Sequence, residues 1–156
     1  MSSSVAGAIQ ENEPRNLTAL VDGKWCGIET ILLVEDEAFV RQASAEALES
    51  AGYRLLIAKS ADEALEACRN SVRPVNLLLT DVIMPGMSGP DLAAEFESLC
   101  PHARILLMSG HAEHLARCEM SHDRKQCLVK PFSVRTLLRR VREALDENPV
   151  ERETPA

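Results

Sequence analysis

Leu77-Leu78-Leu79-Thr80-Asp81-Val82-Ile83-Met84-Pro85-Gly86-Met87-Ser88-Gly89 is an apolar run that stops at a carboxylate and passes into a turn rich in proline and glycine. The run is continuous rather than alternating. It therefore reads as a strand buried on both faces, the pattern of a parallel sheet covered by helices. Asp81 then stands at the C-terminal end of that strand. Ligands of open α/β sheets bind along that edge, so the residues that reach it decide what the chain can do.

Working outward, strands and helices alternate from Thr30 onward. Ile31-Leu32-Leu33-Val34 is a short apolar strand that runs into Glu35-Asp36-Glu37. Val40, Ala43, Ala47, Leu48 and Ala51 recur at helical spacing, which predicts a helix over 38–50 stopped at Gly52. A second strand is expected over 53–58. Ser60, with Glu63 three residues on, has the capping-box pattern for a helix to about Asn70. Pro74 restarts the chain into the strand that carries Asp81, expected over 75–80. Pro90 suits the first turn of a third helix, with Leu92, Phe96 and Leu99 inward and Pro101 ending it. Residues 104–108 form a fourth strand that ends in Ser109-Gly110-His111. A thin apolar stripe over 112–120 predicts a weaker helix. Cys127-Leu128-Val129 is a fifth strand ending in Lys130-Pro131, and 133–146 carry a clear helical stripe. Five β–α units imply a parallel sheet with helices on both faces.

Composition bounds the rest. The 156 residues suit one domain with tails, and 46% hydrophobic content with 3% aromatics predicts an aliphatic core. We read 1–29 as a flexible extension from which Leu17, Leu20, Val21 and Trp25 could dock, 30–147 as the domain, and 148–156 as a polar tail. A net charge of −7 argues against nucleic acid as a direct partner. The start of the chain has no basic region followed by a long apolar run, and no stretch approaches membrane-spanning length, so a cytoplasmic location is expected. Cys26, Cys68, Cys100, Cys118 and Cys127 are odd in number and lack CxxC spacing. Cys68, Cys100 and Cys127 lie among apolar residues and read as reduced packing residues.

Four strand ends thus carry polar groups: Glu35 and Asp36, Asp81, Ser109, and Lys130. In a parallel sheet these ends share one edge, so the residues can share one cleft. Three close carboxylates repel and need a compensating cation. Oxygen ligands favour a hard divalent ion, and Mg²⁺ uses one or two carboxylates while keeping waters. A carboxylate left free can attack phosphorus to form an acyl phosphate. The metal and Lys130 would neutralise the transferring phosphoryl group, and the Ser109 hydroxyl could donate to it afterwards.

The combination ILLVEDE, LLLTDVIMPGMSG, ILLMSGH and LVKPF, in that order, resembles the receiver domain of two-component response regulators over roughly residues 30–146. The resemblance implies a flavodoxin-like doubly wound (βα)5 fold with strand order 2-1-3-4-5. It implies Asp81 as phosphoacceptor, Asp36 as a direct Mg²⁺ ligand, Glu35 as a ligand through water, and the Ile83 backbone carbonyl as a further ligand. It makes Ser109 the switch hydroxyl and Lys130 the family's lysine, with a bond to Pro131 that is often cis. The implied phosphoryl donor is a histidine kinase or histidine phosphotransfer protein. The implied output is a protein target contacted by the fourth helix, fifth strand and fifth helix, with no catalysis beyond the chain's own phosphorylation and dephosphorylation. Only a polar tail follows the last helix, so a stand-alone receiver without a DNA-binding output domain is expected.

Two departures stand out. Relatives usually carry an aromatic where this chain has Cys127, which predicts a different signal route, through His111 or the fourth helix. Ile83 and His111 occupy positions that tune acyl-phosphate hydrolysis in relatives, and an apolar Ile83 orients no water, which predicts a long-lived phosphate. Taken singly, Glu35 and Asp36 could simply open a helix, and Asp81 could be a turn residue. Their convergence with Lys130 carries the sharper reading. The alternative is a receiver-like interaction module that works without phosphorylation. An Asp-nucleophile phosphatase would ordinarily need a second acid where Ile83 stands.

Overall fold

The computed structural model describes residues 25–111, 113 and 125–147. Nine elements follow one another: β1 (Thr30–Val34), α1 (Ala38–Ser50), β2 (Arg54–Ala58), α2 (Ala61–Asn70), β3 (Leu77–Asp81), α3 (Gly89–Leu99), β4 (Arg104–Ser109), β5 (Lys125–Val129) and α4 (Val134–Asp146). The strands form one parallel sheet in the order β2-β1-β3-β4-β5, as the resemblance implied. Four helices lie among the described residues. The weaker helix expected over 112–120 falls outside them apart from Glu113.

Side chains of a strand alternate between its two faces, and the sheet divides accordingly. Ile31, Leu33, Leu77, Leu79, Leu106 and Met108 pack against α1 and α4 on one face. Leu32, Val34, Leu78, Ile105 and Leu107 pack against α2 and α3 on the other. Every residue of β1, β3 and β4 is buried, which is why these strands read as unbroken apolar runs. Among the described residues Phe96 is the largest fully buried side chain, and the other large ones are leucines and isoleucines together with Met108. Leu99, expected to face inward, is instead 41% exposed, as the last residue of α3.

Local signals set the helix starts. Ser60, Ser88 and Ser133 each accept a backbone N–H three residues on, from Glu63, Asp91 and Thr136. At α2 the return arm of the box reaches the Lys59 N–H rather than that of Ser60. Strands β2 and β3 begin at Arg54 and Leu77, slightly later than expected, and β5 begins two residues earlier, at Lys125. The chain is already held before β1. Trp25 packs on the core beside α1 and α4, the Gly27 N–H donates to the Ala51 carbonyl, and the Arg54 N–H donates to the Glu29 carbonyl.

Candidate functional site

Register builds the site. Thr80 lies opposite Val34, Asp81 opposite Met108, and Ser109 opposite Val129. The residues one step beyond Val34 and Val129 are Glu35 and Lys130, so four polar residues from four strands finish the sheet in one row. Backbone bonds extend the ladder past the last pairs: the Glu35 N–H donates to Ala58 (3.1 Å), Val82 to Met108 (3.0 Å) and Lys130 to Ser109 (3.0 Å).

These residues converge on a cleft of about 450 Å³ lined by Glu35, Asp36, Asp81, Ile83, Ser109, His111 and Lys130, among others. Carboxylate oxygens of Glu35, Asp36 and Asp81 all lie within 4.8 Å of one another. Glu35 and Asp81 are almost fully buried, at 1% and 3% exposure. The Lys130 ammonium bonds the Glu35 carboxylate at 3.1 Å and also contacts Asp81. One cation thus serves two buried acids, with the Asp36 carboxylate close to both. Burial, and then the hydrogen bond and charge of Glu35, push the Asp81 carboxyl up to about 8, with Lys130 opposing only in part. Burial also works against ionised Glu35, but its bonds with Asp81 and Lys130 outweigh this and hold it below the usual carboxylate range. Burial pulls Lys130 down, and the two carboxylates more than restore it. The pocket holds one ammonium against the three carboxylates of Glu35, Asp36 and Asp81, whose oxygens are hard donors. That donor set suits a small divalent cation such as Mg²⁺.

Other expectations find their places around this centre. Ile83 lines the cleft with its side chain 55% exposed. Ser109 is buried, and its Oγ accepts the His111 N–H at 3.0 Å. The Lys130–Pro131 bond is cis. Cys127 does not line the cleft. It is half-buried on the α2–α3 face and is disulfide-bonded, whereas Cys26, Cys68 and Cys100 are thiols. The expectation of a reduced residue therefore fails at Cys127. Apolar neighbours set a cysteine's burial, not which second sulfur the fold brings to it, and here that partner lies outside the described residues.

Two residues that the sequence reading passed over support the site. The Arg41 guanidinium donates to the carbonyls of Glu35 (2.8 Å) and Asp36 (3.4 Å), tying the acidic loop to α1. At Gly89 a Cβ would fall 2.1 Å from the Asp81 carbonyl oxygen, so only glycine lets α3 start against the end of β3. Gly89 was visible as part of a turn. Its contact with Asp81 needed the fold. Arg41, one turn into an amphipathic helix, carried no local signal.

A doubly wound α/β sheet with an acid-and-lysine cleft at its carboxyl edge defines the class. The family model of the response regulator receiver domain matches residues 31–142. The chain is 38% identical over 122 residues to the sensor kinase CckA of Brucella abortus (strain 2308), covering 78% of this chain and 13% of CckA. It is 34% identical over 116 residues to the response regulator receiver protein CpdR of the same organism, covering 74% of this chain and 95% of CpdR. Among solved structures, the receiver domain of the hybrid histidine kinase CckA aligns with a TM-score of 0.65 and 33% identity, over 75% of this chain and 99% of that one. The chemotaxis response regulator CheY4 of Vibrio cholerae aligns with a TM-score of 0.65 and 26% identity, over 76% and 99%. The chain belongs to the response regulator receiver domain family of two-component systems. Among the described residues, no helix is long and apolar enough to cross a membrane.

Proposed function

We propose that Asp81 accepts a phosphoryl group from a phosphohistidine on a histidine kinase or histidine phosphotransfer protein, and that this switches a protein-interaction surface. The carrying observation is the buried Asp81 carboxyl at the end of β3, with Glu35, Asp36 and Lys130 gathered around it. An Asp81 oxygen attacks phosphorus as the P–N bond breaks, and the departing imidazole keeps the electron pair of that bond. Glu35, Asp36, Asp81 and the Ile83 carbonyl would hold Mg²⁺, which supplies the positive charge that keeps Asp81 ionised and offsets charge on the phosphoryl oxygens. Lys130 neutralises the same oxygens, and the Ser109 hydroxyl turns to donate to one of them. Arg41 and Gly89 hold the two acid-bearing loops in place.

The output surface in this reading comprises the 112–120 segment, β5 and α4, with a protein target and no direct contact to nucleic acid. Val129, 53% exposed on β5, is an apolar contact point within it. With Cys127 at the usual aromatic position, His111 links this surface to Ser109 through its backbone bond. The exposed apolar Ile83 positions no attacking water, so the acyl phosphate is long-lived. A half-life of seconds in purified protein with Mg²⁺ would contradict that.

The test is incubation with acetyl phosphate and Mg²⁺ followed by intact mass. The wild type gains one phosphoryl group and Asp81→Asn gains none. No gain in the wild type, with the protein folded, would favour an interaction module that works without phosphorylation.

A further inference from the structure

The opposite end of the fold carries a second reactive arrangement. Helices in a parallel α/β fold run back against their strands, so the C-terminal ends of α2 and α3 meet at the amino edge of the sheet, away from Asp81. Cys68 lies in the last turn of α2, and Cys100 caps α3. Their sulfurs are 3.2 Å apart, and both residues are thiols. Both open on a cleft of about 370 Å³ lined also by Val72, Leu99, Pro101 and His102.

We propose that Cys68 and Cys100 are a redox modification site that closes to a reversible disulfide with a hydroperoxide as oxidant. A disulfide bond is about 2.05 Å long, so the sulfurs need to approach by only about an ångström. The α3 end that must move is a cap, where the Cys100 N–H is held by the Phe96 carbonyl and the chain turns into β4. The two sulfurs have different roles. Cys68 is buried, and burial followed by its bond with Cys100 pushes its thiol up to about 12, so it keeps its proton at neutral pH. Cys100 is partly exposed on the cleft and meets the oxidant first.

The step balances as follows. The Cys100 sulfur attacks one peroxide oxygen and the O–O bond breaks. This leaves a sulfenic acid on Cys100 and one water (or alcohol), which takes up the thiol proton. The Cys68 sulfur then attacks the Cys100 sulfur, the S–O bond breaks, and the Cys68 proton leaves with the hydroxyl as a second water. Two sulfurs are each oxidised by one electron, and the peroxide is reduced by two. The product staples α2 to α3 across the second core.

The experiment treats the reduced full-length chain with hydrogen peroxide at neutral pH, blocks remaining thiols with iodoacetamide and maps the peptides. A peptide joining Cys68 to Cys100 is expected, lighter by two hydrogens than the two thiol peptides together and cleaved by dithiothreitol. Mapping separates this bond from that of Cys127. Cys68→Ser and Cys100→Ser each remove it. In Cys100→Ser the buried Cys68 oxidises at least about tenfold more slowly than the pair does in the wild type. Recovery of both residues from the folded wild type as separate alkylated or over-oxidised peptides would overturn the proposal. That result needs no variant to fold.

Discussion

Two charged clusters stand at the two ends of β1, and their carboxyls are driven in opposite directions. At the start, Glu29 takes two bonds from the Arg142 guanidinium, at 2.6 and 3.0 Å. The same guanidinium donates to the Cys26 carbonyl and the Tyr53 hydroxyl and pairs with Asp146. Arg142 holds the Glu29 carboxyl below its usual range despite partial burial. At the far end, Glu35 and Asp81 share one lysine with Asp36 close by, and Asp81 is pushed up instead. The first cluster is partly exposed to water and bonded through every guanidinium nitrogen, and it fastens the Trp25-to-Glu29 segment onto α4. In the second, Glu35 and Asp81 are buried and short of positive charge, a combination that costs stability and marks a place where a cation and a reacting group belong.

The largest break in this contrast is Lys130→Ala. It removes the lysine that faces the acids and a charge used in transfer, so acetyl-phosphate labelling of Asp81 should slow by about 10²–10³-fold at saturating Mg²⁺. Next is Gly89→Ala. Its Cβ would overlap the Asp81 carbonyl oxygen, so urea denaturation should show a loss of about 2–4 kcal/mol, with slower labelling as the strand end shifts.

A pH series sharpens the contrast further. The folded-state pKa of Asp81, about 8, lies above its ordinary value of 3.8, so the native protein binds the extra proton between those limits. Without metal, stability should therefore rise as pH falls from about 8 toward 5, by on the order of 2 kcal/mol. Mg²⁺ at pH 8 should recover that loss, and Asp81→Asn should flatten the slope. A metal-free profile that rises with pH over this range would contradict the charge deficit.

The smallest effect belongs to the exposed cluster. Arg142→Ala should cost about 1 kcal/mol, since the pair is partly exposed and screened by salt, and leave the labelling rate unchanged. The folded-state pKa of Glu29 lies below its ordinary value of 4.5, so its contribution is present above that pH and is lost as pH falls through the folded value. Comparing wild type and Arg142→Ala at pH 7 and pH 3 checks the sign: the difference should shrink in acid.

Much of this was legible in the residues alone. Unbroken apolar runs such as Ile31-Leu32-Leu33-Val34 and Leu77-Leu78-Leu79 are what strands buried on both faces require, and helical spacing between them specified a parallel sheet. Polar residues ending four runs specified a shared edge. These are local patterns, written by periodicity and by the energetic cost of burying a charge. Only the tertiary structure decided the rest. Strand register set Glu35 beside Asp81, 46 positions away, and brought Lys130 to both. Packing of helices and loops seated Gly89 on the Asp81 carbonyl, docked Glu29 on Arg142, set the Cys68 thiol beside that of Cys100 and left Cys127 in a disulfide. Those contacts arise when distant segments pack against one another. A one-dimensional pattern records which face a side chain takes, but not which partner waits on it.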